Sequence, residues 1–249
     1  MNDDVRNILL GLVATGISAG LGWFTRTSLW RRALGRKQRF FGLPADTECL
    51  LVVNGKAGEP RWTVARRDVF ALLEISMLIK ECGARAEIVA HDTARRGLGE
   101  TTEFCIGGPV SNQRMAAHLR NLLPGFSMNT ADTTGPRLGA FTVGGQQYRM
   151  DKGRVEHVLL ARLFSRDEGG GGRPVFLICG QHSNANHAAA RYLARRHVQL
   201  AKTYKDAPFC QLLKVVDSEA YGPDVVELVG DVTRAAVTPA VPSAPPGPP

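Results

Sequence analysis

The chain has 249 residues, of which 44% are hydrophobic, 7% aromatic and 22% charged, with a formal net charge of +8. This composition supports a packed core and excludes a wholly disordered or fibrous chain. The excess charge is local: residues 25–45 hold Arg26, Arg31, Arg32, Arg36, Lys37 and Arg39 and no acid, so no nucleic acid is expected as a partner.

The first predicted element is Ile8–Phe24, a run of 17 uncharged residues. As a helix it is about 25 Å long, close to the lower limit for a bilayer span. Trp23 and Trp30 suit an interface, and the cations that follow orient the N-terminus outside and the rest in the cytoplasm. The expectation is a single-pass protein of the plasma (inner) membrane that meets lipids through residues 8–39, with an in-plane helix, a buried helix of a soluble domain or a signal segment as the alternatives. Gly16 and Gly20 form a GxxxG pair and suggest a homodimer. Residues 1–45 thus read as anchor and basic juxtamembrane segment, 46–234 as an α/β domain and 235–249 as a disordered proline-rich tail.

Glu48–Val53 is a continuous apolar run, as in a buried parallel strand, and ends at Asn54. Val64–Cys82 has helical spacing and stops at Gly83. Ala86–Ala90 and Phe104–Ile106 read as strands, and Asn112–Leu123 as a helix closed by Pro124-Gly125. Leu138–Val143, Gly144-Gly145 and Gln146–Met150 form a hairpin pattern near 138–150. His157–Phe164 is expected to be a strand, with a short helix as the alternative, followed by the strand Val175–Cys179. Asn184–Lys205 is an alanine-rich helix with its cations toward the C-terminal end, and Phe209–Val216 and Val225–Val229 are final strands. The predicted fold class is α/β: a mixed, mainly parallel sheet with helices on both faces, preceded by one N-terminal transmembrane helix.

In such a sheet ligands bind beyond the carboxyl ends of the strands. There the sequence places Asn54, His91-Asp92, Gly107-Gly108-Pro109-Val110-Ser111-Asn112 and Gly180-Gln181-His182-Ser183-Asn184, with Arg114 in the next helical turn. Glycine admits close approach, and helix N-termini attract anions, so these loops predict a small anionic ligand. The same residues also serve as tight turns and helix caps, which is the structural alternative. Cys49, Cys82, Cys105, Cys179 and Cys210 have neither zinc-knuckle nor CxxC spacing, and His182 and His187 lie five apart rather than four. No metal is expected, and a Cys179–His182 nucleophile–base pair conflicts with the apolar strand that holds Cys179.

With GGPVSN after one strand and a glycine turn before an alanine-rich helix, residues 48–216 resemble the broad Rossmann-like nucleotide-sensing and nucleotide-processing domains: the Toll/interleukin-receptor-like, deoxyribosyltransferase-like and SLOG families. The resemblance implies a nucleotide-like ligand and, in bacteria, fusion to membrane helices in signalling and defence systems. Its hydrolytic members use an edge glutamate, whereas here Glu74 lies in a helix, Glu103 begins a strand and Glu156 precedes one. The expected function is a membrane-tethered cytoplasmic sensor, regulatory or effector module binding a nucleotide-like or other anionic ligand. The alternatives are a nucleotide or NAD hydrolase, with Asp92 or Glu156 as acid/base and His182 assisting, and a membrane scaffold that recruits a protein partner.

Overall fold

The computed structural model describes residues 3–55, 63–94, 96–132, 134–165 and 172–239; side chains of residues 3–19, 21 and 22 lie outside the description. The chain runs α1 (Asp3–Phe41), β1 (Glu48–Val53), α2 (Arg66–Glu81), β2 (Arg85–Ala90), β3 (Thr102–Ile106), α3 (Gln113–Leu122), β4 (Phe126–Met128), β5 (Phe141–Val143), β6 (Gln146–Tyr148), β7 (Val155–Leu163), β8 (Val175–Gly180), α4 (Ser183–Tyr204), β9 (Phe209–Val216), α5 (Ser218–Tyr221), β10 (Val226–Asp231) and α6 (Thr233–Val237).

A seven-stranded sheet in the order β10-β9-β7-β8-β3-β1-β2 forms the centre, beside a three-stranded sheet β4-β5-β6. Side chains alternate between its faces, as the two-residue strand period requires. Cys49, Leu51, Phe104, Ile106, Phe176 and Ile178 pack under α2, α4 and the end of α1. Leu50, Val52, Cys105, Val175 and Leu177 pack on the other face with Met115, Leu119 and Leu122 of α3, Phe141 and Ala236. Both faces are covered, which is why these strands read as unbroken apolar runs.

Only half of the sheet is parallel, contrary to the mainly parallel expectation. β2, β1, β3 and β8 run together. β7 pairs antiparallel with both β8 and β9, and β9 pairs antiparallel with β10. The reason is the route: only residues 164–174 join β7 to β8, fewer than the dozen or more that a parallel crossover needs, and so short a return favours reversed strands.

The expected transmembrane helix is not found. Among the described residues no helix is long and apolar enough to cross a membrane. The apolar run is 17 residues against the roughly 20 that a span needs, and Gly11, Gly16, Gly20 and Gly22 dilute it. Helix α1 continues through the cations without a break. The single-pass topology, the outside N-terminus and the lipid contact of residues 8–39 are therefore corrected. The Gly16/Gly20 dimer is likewise unsupported: Gly20 has nothing within 4 Å, and Gly16 lies outside the described side chains.

What the end of α1 does instead is enter the core. Phe40, Phe41 and Leu43 are almost wholly buried, inside the segment that the sequence assigned to an anchor. Arg162 of β7, itself 1% exposed, fastens this turn. Its guanidinium donates to Phe40 O at 3.2 Å, Lys205 O at 2.5 Å and Ala207 O at 2.6 Å, and lies over the Phe40 ring. At the other terminus, Ala236 of α6 is buried, and residues 240–249 of the expected tail lie outside the described residues.

Candidate functional site

Because β1, β2, β3 and β8 are parallel, their carboxyl ends share one edge. The loops around Ser111 and Ser183 therefore lie on the same edge. β7 runs the other way, so its first residues join them: Val158 stands opposite Gly180.

The centre of this rim is Asp68, in the first turn of α2 and 2% exposed. Its Oδ2 accepts from Asn54 Nδ2 at 3.0 Å and its Oδ1 from Asn186 Nδ2 at 2.8 Å. Asn186 Oδ1 accepts in turn from Gly180 N at 2.7 Å, and Asn54 Nδ2 lies 3.3 Å from Ser111 Oγ. One carboxylate thus ties the ends of β1 and β8 to the starts of α2 and α4. Burial raises the Asp68 pKa, opposed by the two carboxamides and by the nearby His182. Gly107 leaves room for Asn54: its φ is +111°, and a Cβ there would lie 2.7 Å from Asn54 Cβ. Asn54 Oδ1 is buried and finds no hydrogen-bond partner among the described residues.

A second cluster sits at the β7–β8 end of the rim. Glu156 is fully buried, and its Oε1 accepts from Gly153 N at 3.1 Å. His182, the residue before α4, places Nδ1 3.7 Å from that oxygen, with its side chain 34% exposed. Glu156 Oε2 and His182 Nδ1 are buried and unpartnered among the described residues. Asn184 Nδ2 donates to Ser218 Oγ at 3.1 Å, closing the floor beside Gly153.

Other residues singled out from the sequence have structural partners. Asn112 caps α3, accepting from Met115 N at 2.9 Å and donating to Ile106 O at 2.9 Å. Gly108 O accepts from Ser111 N in the turn before α3. Gln181 accepts from His157 N at 2.8 Å and donates to Gly139 O at 3.1 Å and Tyr148 O at 2.8 Å, stapling the small sheet to the large one. Asp92 is exposed after β2, four strand spacings or roughly 19 Å from β7, and so does not join Glu156. Cys179 is buried with its thiol pushed up to about 12, which removes it as a nucleophile at neutral pH.

Arg114 turns away from the rim. It bonds both oxygens of Glu103, at 2.8 and 2.6 Å, and donates to Arg96 O at 2.9 Å. His118 Nε2 is 2.8 Å from Glu103 Oε1. Glu103, Cys105 and His118 bring possible metal-ligand atoms within 4.8 Å of one another, all buried. A cation there would have to displace a bidentate guanidinium and ionise a thiol that burial holds well above its ordinary value. The donor set is therefore better matched to a closed ion-pair cluster than to a metal.

The expected anionic ligand is corrected by the same geometry. Among the described residues, Arg114, the cation expected beside the glycine loops, is spent on Glu103, while two buried carboxyl groups, Asp68 and Glu156, lie at this rim. Sequence reading missed Asp68 and Asn186. The signal was present, since Asp68 falls on the inward stripe with Ala71, Ile75 and Ile79, and Asn186 on that with Ala189, Ala190 and Leu193. A polar residue on a buried stripe marks a partnered or functional group.

No family model matches the chain, and no curated protein or solved structure matches it. The likeness to Rossmann-like nucleotide-sensing and nucleotide-processing families therefore has no support, and with no spanning helix the membrane-tethered sensor is not retained.

Proposed function

We propose that this domain is a hydrolase whose His182–Glu156 pair transfers protons at the sheet's carboxyl edge. The observation that carries the reading is the pair of buried, unpartnered atoms, Glu156 Oε2 and His182 Nδ1, on side chains 3.7 Å apart. A buried polar atom without a partner costs about 1–3 kcal/mol, so such a pair is a feature to be explained. Catalytic hydrogen bonds are often long before substrate binds and tighten in the complex.

In this reading Glu156 holds the Nδ1–H of the imidazole and so fixes the tautomer that leaves Nε2 free to accept a proton. Nε2 takes a proton from water as the water oxygen attacks an electrophilic carbon, then returns it to the leaving group. Backbone N–H groups at the start of α4 favour the negative charge that develops on the attacked group. Asp68, through Asn54 and Asn186, holds that helix start in place. The carboxyl-rich rim favours a neutral or cationic substrate with hydrogen-bond donors.

The test is turnover of neutral ester, amide and glycoside substrates by the purified chain. His182→Ala and Glu156→Gln are each expected to lower kcat by about 10²–10⁴-fold with little change in melting temperature. Equal turnover by the variants, or none by the unsubstituted chain across all three classes, would sink the assignment.

A further inference from the structure

At the opposite edge of the sheet, α1 and the second half of α4 enclose a groove of about 1070 Å³. Its floor is Phe40, and Trp30, Leu34, Val198 and Ala201 supply apolar walls. Trp30 and Val198 are 63% and 55% exposed, and farther out on α1 Trp23, Phe24 and Leu29 are exposed as well. Trp23, Trp30 and Leu34 are spaced by seven and four residues, so they share one stripe that runs into the groove. From Trp23 to Phe40 the wall is about 25 Å long, the length of a five-turn helix.

The charge around this groove selects its occupant. Arg36, Lys37, Arg39, Lys202 and Lys205 line it against two acids, Glu81 and Asp206. Lys37 is paired with Glu81, which leaves the remaining cations in excess. A second copy of this chain would bring the same cations into apposition, and like charges at an interface are unfavourable. Tryptophan and arginine on one wall are the residue types most concentrated in binding hot spots.

We propose that the α1–α4 groove docks an acidic amphipathic helix of a partner protein. The helix lays its apolar face along Trp23, Trp30, Leu34 and Val198, and its carboxylates meet Arg36, Arg39, Lys202 and Lys205. The rim at the carboxyl edge takes no part, so this surface stands or falls independently of the proposed hydrolase.

The test titrates the full chain with a synthetic helical peptide carrying leucine on one face and glutamate on the other, read by tryptophan emission. A twin peptide with lysine for glutamate is the control. A saturable blue shift with the acidic peptide alone is expected, weakened about tenfold by the double substitution Arg36→Glu and Lys202→Glu. Trp30→Ala is expected to remove most of the shift. Added salt should weaken binding to the unsubstituted chain, a measurement that needs no variant to fold. Equal binding of both peptides overturns the proposal, as does salt-independent binding or the absence of a saturable signal. A long-chain fatty carboxylate that shifts the emission where the acidic peptide does not would overturn it too.

Discussion

Glu103 shows how one residue's charge is settled by its neighbours. Burial by itself would raise its pKa, but the bonds from Arg114 and His118 outweigh that and hold it below the ordinary carboxylate value of 4.5. A carboxylate lowered in the folded state stabilises fully above its unfolded pKa, and that stability is lost as pH falls through the lowered value. Glu103→Gln is therefore expected to cost about 3 kcal/mol at neutral pH, because it strands the Arg114 guanidinium. The same variant should lose less further stability on acidification than the unsubstituted chain. Urea denaturation at neutral and acidic pH measures both effects. The Arg114 partner could not be read from sequence: Glu103 is eleven positions away, on a strand whose inward face is set only when α3 docks.

At the scale of elements, two polar fasteners hold the ends of helices to the sheet. Asp68 joins α2, α4, β1 and β8 through Asn54 and Asn186. Asp68→Ala leaves two buried carboxamides short of an acceptor, with an expected loss of about 2–3 kcal/mol. For a chain of this size that lowers Tm by roughly 5–10 °C in a calorimetric scan. Arg162 does the equivalent work at the other edge, collecting the carbonyls of Phe40, Lys205 and Ala207. Arg162→Met keeps the apolar stem but frees those carbonyls, so hydrogen exchange should quicken at residues 38–43 more than in β8. The strands, by contrast, were legible from local pattern. Glu48–Val53 and Phe209–Val216 were expected with the bounds observed, because a strand covered on both faces must be apolar along its length. The short strand β4 and helix α5 were not foreseen: three or four residues carry too little period to register.

At the scale of the whole molecule, the core begins at Phe40, so truncations should divide there. Removal of residues 1–30 is expected to leave a folded chain with Tm within a few degrees of the original, as Trp23, Phe24, Leu29 and Trp30 are exposed. Removal of residues 1–43 deletes Phe40, Phe41 and Leu43 from the core, where each large-to-small change costs about 2–5 kcal/mol, and should abolish cooperative melting. Circular dichroism of the two truncated chains separates these outcomes. Apolar periodicity and glycine stops already specified that there is a two-faced sheet, where most of its strands and helices lie, and that Asn54, Gly107 and Gly180 end strands. Those features are local, because the chain's own spacing dictates which side of an element is buried. Packing alone decided the reversed half of the sheet, the docking of α1, the commitment of Arg114 to Glu103, and the meeting of Glu156 with His182. These depend on which distant segments become neighbours, and a polar side chain takes its role from the partner that it finds after the backbone has folded.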